Sequence, residues 1–293
     1  CRTLQLPYVS YGGYGSRTTF TLDGDCTFTV SGTAGIPVAQ AGQKNDTVDR
    51  GTVTIVNLMN GGTFSVKGRL SKSNSYDIMP KAVHAYVNFD GGTLASEGNG
   101  DLQAFDAGEN AVDAVTSYGG GATFAVSGSK TVSVSVPVDA PKGNGVASVA
   151  WAGTAAAART YIGVPAVDIY GDGYGASAVA LFDRATGRVT GIKVLSPGCG
   201  YTQAEAVIRP TAKSQHACDH YLTNAVALTA STPVSGGLRK TGAGTLVLCA
   251  TNTYAGATVV SGGTLKLAAD DVLRAGTELV LDGGTLDLNG KRA

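Results

Sequence analysis

A phrase of two glycines, a threonine and an apolar residue returns along this 293-residue chain at regular distances. It stands at Gly61-Gly62-Thr63-Phe64, Gly91-Gly92-Thr93-Leu94, Gly262-Gly263-Thr264-Leu265 and Gly283-Gly284-Thr285-Leu286, with a variant at Gly120-Gly121-Ala122-Thr123-Phe124. Thr63, Thr93 and Thr123 are 30 residues apart each time, whereas Thr245, Thr264 and Thr285 are 19 and 21 apart. A repeated phrase implies a repeated environment, which constrains the fold more than composition does. Each phrase opens an alternating run, such as Thr63-Phe64-Ser65-Val66 or Thr285-Leu286-Asp287-Leu288. Alternation at period two puts Phe64 with Val66, and Leu286 with Leu288, on one face of a strand. Asn60, Asp90 and Asp282, each followed by glycines, supply a turn that tolerates positive φ. Strand, turn and strand within roughly 20–30 residues is the length of one coil of a β-solenoid. A β-sandwich also has short strands and glycine turns, but its hairpins have no reason to repeat one phrase. Stacked apolar ladders such as Leu246/Leu265/Leu286 are the expected core.

Composition supports an all-β chain. There are 42 glycines, 15% charged residues and 43% hydrophobic residues. Gly, Thr, Ser and Val disfavour a helical bundle, and the hydrophobic content argues against disorder. The 22 basic and 22 acidic residues balance, which gives no argument for nucleic acid or an anionic membrane as partner. No run approaches 18 apolar residues, so no helix is expected to span a membrane. Five cysteines (Cys1, Cys26, Cys199, Cys218, Cys249) leave at least one without a partner inside the chain, and no CxxC spacing occurs. The ending Leu288-Asn289-Gly290-Lys291-Arg292-Ala293 reads as a turn after a strand, and the chain as a segment of a longer protein.

The expected organisation is solenoid coils with Gly-Gly-Thr corners over 1–159, an inserted Gly/Tyr β module over 160–210, a connector over 211–235, and a second set of β-strand repeats over 236–293. In the module, Tyr161–Val167 and Tyr201–Val207 are near-duplicates 40 residues apart, with a hairpin-like segment around Thr186-Gly187 between them.

Gly236-Gly237-Leu238-Arg239-Lys240-Thr241-Gly242-Ala243-Gly244-Thr245-Leu246-Val247-Leu248, continued by Thr251-Asn252-Thr253-Tyr254-Ala255-Gly256-Ala257-Thr258-Val259-Val260-Ser261-Gly262-Gly263-Thr264-Leu265, resembles the autotransporter-associated β-strand repeat, or passenger-associated transport repeat. Arg239 and Cys249 depart from its usual Thr or Val and Ser. The resemblance implies a right-handed parallel β-helix in the secreted passenger of a large bacterial surface protein. It implies an extracellular or cell-surface location, attached at the outer membrane, and a non-enzymatic structural rod that supports export, folding and display. The partners it implies are flanking parts of the same protein. A glycan- or host-surface-binding adhesin segment and a β-helix polysaccharide lyase or hydrolase are the alternative functions.

The family brings no catalytic residues, and no catalytic, cofactor-binding or metal-ligating residue is assigned. Several groups invite a functional reading. His216, Cys218 and His220 would share a strand face and suit a soft metal, but a polar loop with Cys218 bonded to Cys199 is the simpler reading. Asp168, Asp172 and Asp183 sit near glycine turns without a calcium-loop spacing, and read as turn formers. Asp101, Asp106, Glu109 and Asp113 form the densest acidic stretch, with no basic residue nearby in sequence; it reads as a solvated loop rather than as a carboxylate pair for sugar cleavage. Tyr8, Tyr11, Tyr14, Tyr174 and Tyr201 could stack on sugars, but packing over glycine is the plainer expectation. Trp151 reads as core filler. Gly242-Ala243-Gly244 and Gly119-Gly120-Gly121 lack the Lys-Ser/Thr and the helix of a phosphate loop.

Overall fold

The computed structural model describes residues 17–30, 36–40, 52–73, 83–96, 102–106, 108–151, 160–209 and 222–293. The first strands are β1 (Arg17–Asp23), β2 (Thr27–Val30), β3 (Ile36–Gln40), β4 (Thr52–Met59), β5 (Thr63–Val66), β6 (Leu70–Ser73), β7 (Val83–Asp90), β8 (Gly92–Ser96), β9 (Leu102–Gln103), β10 (Ala114–Ser117), β11 (Ala122–Val126), β12 (Thr131–Val134) and β13 (Val138–Asp139). Then come β14 (Val146–Val149), β15 (Ala166–Gly171), β16 (Tyr174–Asp183), β17 (Arg188–Cys199), β18 (Ala204–Arg209) and β19 (Leu222–Leu228). The last are β20 (Leu238–Thr241), β21 (Thr245–Leu248), β22 (Thr258–Val260), β23 (Thr264–Leu267), β24 (Leu279–Leu281) and β25 (Thr285–Asp287). Among the described residues no helix is long and apolar enough to cross a membrane. The protein is all-β, and it divides into two compact units, residues 1–140 with 234–293, and residues 141–233.

The first unit is built of parallel sheets. One has the order β1-β4-β7-β10-β13, a second β2-β5-β8-β11-β20-β22-β24, a third β25-β23-β21-β12-β9, and β3 pairs with β6. All these pairings are parallel. Successive passes of the chain each add a strand to one sheet after another, as β7, β8 and β9 are followed by β10, β11 and β12.

The repeated threonines stand in register. Thr27, Thr63, Thr93 and Thr123 pair in sequence across the second sheet, and Thr131, Thr245, Thr264 and Thr285 across the third. One phrase therefore opens strands in two different sheets, a distinction its wording does not carry. The later passes contribute no strand to the first sheet. There Asn252 and Thr253 only bond to the end of it: Val138 N–H donates to Asn252 Oδ1 at 2.8 Å and Thr253 N–H to the Val138 carbonyl at 3.2 Å. Omitting a strand is what shortens the spacing from 30 residues to about 20.

Inward positions form continuous columns. In the third sheet Leu246, Leu265 and Leu286 pair in sequence, and Leu248 pairs with Leu267. Leu246, Leu248, Leu265 and Leu267 are all fully buried. Phe20, Phe28 and Phe64 cluster with ring centroids 5.2–5.9 Å apart, the spacing at which tilted and edge-on aromatic pairs attract. At the corner before β8, a Cβ on Gly92 would lie 2.2 Å from the Leu58 carbonyl carbon, so only hydrogen fits there. A polar column runs through the first sheet beside the apolar ones. Thr21, Asn57, Asn88 and Thr116 are in register and buried. Asn57 Nδ2 donates to Thr21 Oγ1 at 3.0 Å and Asn88 Nδ2 to Asn57 Oδ1 at 2.8 Å. An amide both donates and accepts, so stacked copies satisfy one another where no water reaches.

The second unit is an antiparallel sheet in the order β14-β19-β18-β15-β16-β17. Its outer strands approach one another at one end, where Gly200 N–H donates to the Lys142 carbonyl at 2.7 Å and Tyr201 N–H to the Asn144 carbonyl at 2.9 Å. The near-duplicate segments each run into a strand, and these strands, β15 and β18, pair antiparallel with Ala166 opposite Arg209 and Gly171 opposite Ala204. This unit takes in more chain than the 160–210 stretch singled out by composition. β14 precedes that stretch, and β19 lies within the expected 211–235 connector. In the first unit, chain that leaves after β13 in the first sheet returns as β20 in the second.

Candidate functional site

The most unusual chemistry in the first unit is a lysine in the apolar column of the second sheet. Register places Phe28, Phe64, Leu94, Phe124, Lys240 and Val260 in one line. Lys240 is 0% exposed. Its ammonium turns into the adjacent corner, where Nζ donates to the carbonyls of Thr241 and Gly242 at 2.8 Å each and of Gly262 at 3.1 Å. Thr241 and Gly242 belong to its own pass and Gly262 to the next, so one cation joins two corners. Three donors meeting three carbonyls satisfy the ammonium completely. Burial pushes its pKa down from 10.5 to about 8, and it remains protonated at neutral pH.

The corner after it belongs to the same design. Asn252 is buried and its amide donates to the Ala250 carbonyl at 2.9 Å and the Val272 carbonyl at 2.7 Å. Thr253 Oγ1 donates to Asp139 Oδ1 at 2.6 Å. Tyr254 is buried with its hydroxyl 2.7 Å from Thr258 Oγ1, and burial drives its pKa up to about 12. The segment Lys240 to Thr258 therefore spends its polar residues on satisfying corners inside a dry stack. No motif in the sequence singles out Lys240. Its signal was parity, since it shares the inward face of β20 with Leu238.

The acidic stretch is organised differently from the expectation of a solvated loop. Leu102–Gln103 is a strand within it, and Ala114–Ser117 is a strand directly after it. The cations absent nearby in sequence arrive from the previous pass: Arg69 Nε is 3.2 Å from Asp106, and Lys72 Nζ 2.7 Å from Asp113. Asp113 also accepts from the Ala85 amide at 2.7 Å. These carboxylates clamp neighbouring passes together. Glu109 is exposed in the 3-10 turn Gly108–Asn110, and Asp101 lies outside the described residues.

In the second unit Asp168 and Arg209 form a buried ion pair between β15 and β18. Asp172 accepts from the hydroxyl and amide of Thr202 and from the Gln203 amide at 3.1 Å. Led by the Thr202 hydroxyl, these bonds hold its carboxyl at about 2, against an ordinary 3.8. Asp183 accepts from Ala185 N–H at 2.9 Å and Thr186 Oγ1 at 2.6 Å, which likewise lowers its pKa. Asp183 thus forms its own turn, whereas Asp172 joins two turns 30 residues apart and Asp168 is a buried ion-pair partner rather than a turn former. A group with a depressed folded pKa contributes stability above its unfolded value that is lost as pH falls through the folded one. The Asp172 contribution is thus present above about pH 4 and gone near pH 2. Asp172→Asn is expected to flatten the acid dependence of melting between these limits, measured by thermal melts across that range.

Tyr201 is buried, and a Cβ on Gly173 would meet its ring at 2.5 Å. Its ring thus lies over glycine rather than presenting a sugar platform, whereas Tyr174 is only half-buried. Trp151 is half-buried and packs against the core of this unit. Cys199 is fully buried. Burial raises the pKa of half-buried Cys249. Tyr8, Tyr11, Tyr14, Cys1, Cys218, His216 and His220 lie outside the described residues. Among the described residues no group of three or more His, Cys, Asp or Glu is placed to hold a metal.

Comparison with known proteins agrees with the geometry of β20 to β23. The family described as Passenger-associated-transport-repeat matches residues 238–267, the stretch that spans those four strands and the Lys240 corner. The chain carries the passenger repeat of autotransporter proteins. A 51-residue stretch is also 53% identical to the adhesin BmaC autotransporter of Brucella suis biovar 1 (strain 1330), covering 17% of this chain and 2% of that protein. The chain therefore spans a small part of the length of this relative. No solved structure matches it. The passenger repeat places the chain at the bacterial cell surface or outside the cell.

Proposed function

We propose that this chain is a non-enzymatic structural segment of an autotransporter-like passenger, folded as a right-handed parallel β-helix and serving export, folding and display. One observation carries the reading: the passenger repeat pairs in register on both sides, through β11 and β20 upstream and through β22 and β24 beyond. A repeat seated this way extends an existing stack one pass at a time, and each added pass buries the apolar edge of the last. Flanking parts of the same protein are the partners such a segment stacks against. The test is surface display of the chain fused to an autotransporter barrel, read as protease-accessible passenger on intact cells. Deletion of residues 238–267 is expected to reduce display at least about fivefold, because neither end of the break retains its register. Deletion of residues 141–233 is expected to leave it near wild type. Equal display of both deletions overturns the proposal.

A second reading, an adhesin segment that contacts glycans or host surfaces, is favoured by the adhesin-named relative and by the exposed hairpin of the second unit. In it the parallel stack is the support and the inserted unit the contact.

A further inference from the structure

The hairpin β16–β17 presents cations that no acidic group of the described protein pairs with. Elsewhere Arg69, Lys72, Arg209, Arg239, Lys266 and Arg292 each reach a carboxylate within 4.0 Å, Lys240 is held by carbonyls, and Lys67, Lys130, Lys142, Arg274 and Lys291 enter no ion pair among the described residues. Arg184, Arg188 and Lys193 are exposed and enter no ion pair among the described residues. The one carboxylate beside them, Asp183, accepts from its own turn.

Register places two of these cations on one face. Ala178 and Ala180 point into the core, so Val179 and Leu181 point outward with their partners Lys193 and Gly191. After the irregularity between Leu181 and Phe182, Phe182 and Val189 face the core, and Asp183 and Arg188 face outward again. The outward order is Lys193, Leu181 over Gly191, then Arg188, with Arg184 at the tip. Leu181 is 46% exposed. Its methyl would stand 3.4 Å from a Cβ on Gly191, so the leucine leans over a bare stretch of backbone. Arg188 and Lys193 are about 16 Å apart at full strand rise. The result is an open apolar patch with a cation at either end.

We propose that this hairpin face is a binding site for an acidic polysaccharide, the apolar C–H face of a sugar ring resting on Leu181 and its neighbours' carboxylates or sulfates pairing with Arg188, Lys193 and Arg184. The inference rests on the adhesin reading and names its ligand class. A linear polyanion fits because the charges are spread along an extended element rather than gathered at one point. An anionic membrane is the less suited partner, since one leucine between two cations offers little surface to insert.

The experiment is equilibrium binding of the whole chain, at physiological salt, to polygalacturonate and dextran sulfate, with neutral dextran and phosphatidylserine vesicles alongside, and a general glycan array. Binding to at least one acidic polymer, without neutral dextran, is expected. Arg188→Ala with Lys193→Ala is expected to weaken it by about tenfold or more, and Leu181→Ser to weaken it with the charge unchanged. Arg274→Ala with Lys291→Ala, which removes an exposed and a half-buried cation in the other unit, is expected to leave it unaltered. Matching melting temperatures establish that the variants fold. No binding to either polyanion, equal losses in both double variants, or binding to vesicles alone overturns the proposal. In that event, neutral glycans captured on the array leave the adhesin reading standing, and an empty array removes both.

Discussion

Leu265→Asp is expected to destabilise the parallel-sheet unit by about 3–5 kcal/mol. Leu265 lies in β23 between Leu246 and Leu286, and none of its surface reaches solvent. A carboxylate there loses the leucine's burial and faces leucines above and below, with no donor on either. The column leaves the new group no way to turn outward, since the face of a strand residue is decided by its parity. Lys266, the next residue, provides the control. It points to solvent and approaches Asp287 only at 3.4 Å in an exposed pair, so Lys266→Ala is expected to change stability by no more than about 0.5 kcal/mol. Thermal melts of the two variants decide the matter. An unchanged melting temperature for Leu265→Asp means that the residue does not face the core.

Lys240 is the second position where a large loss is expected. Lys240→Ala removes the aliphatic stem from the column and the donor from three carbonyls, and is expected to cost about 3 kcal/mol or more. Lys240→Met separates the two terms. It keeps most of the stem, so its cost, about 1–3 kcal/mol, is that of leaving the corner carbonyls without their donor. The wild-type protein also carries a pH signature. In the unfolded chain the lysine keeps its proton up to about 10.5, whereas in the folded one it releases it near 8. Between these values the unfolded state binds more protons, so this group makes stability rise with pH. Lys240→Met is expected to lack that rise, and denaturant titrations of both proteins from pH 7 to 11 test it. A rise of equal size in the variant means that Lys240 is not its source.

The positions legible in the sequence were those where a local rule and the tertiary environment coincide. Leu246 and Leu265 alternate with Thr, Val and Lys in short strands, and the same parity governs their burial. Asp183 beside glycine reads as a turn former because its bonds stay within its own turn, whereas Asp172 ties its glycine turn to Thr202 in a turn 30 residues on. Lys240 obeyed the same parity rule, yet its charge argued for the opposite face. Only the arrival of Gly262 from the next pass makes an inward ammonium tolerable. The acidic stretch misled for the same reason: the partners of Asp106 and Asp113 lie in the preceding pass.

The sequence by itself determined that the chain is all-β, that its glycine corners recur at 30 and then about 20 residues, and that residues 236–265 carry a passenger repeat. These follow from period, parity and turn chemistry, which act over a few residues at a time. The tertiary structure alone decided which sheet each Gly-Gly-Thr phrase enters, that the chain departs after Asp139 and returns at Leu238, and which cations are paired and which stand open on the hairpin. Those outcomes depend on what lies one pass away, at strand spacing in space and 20 to 120 residues away in sequence, where no local pattern reports.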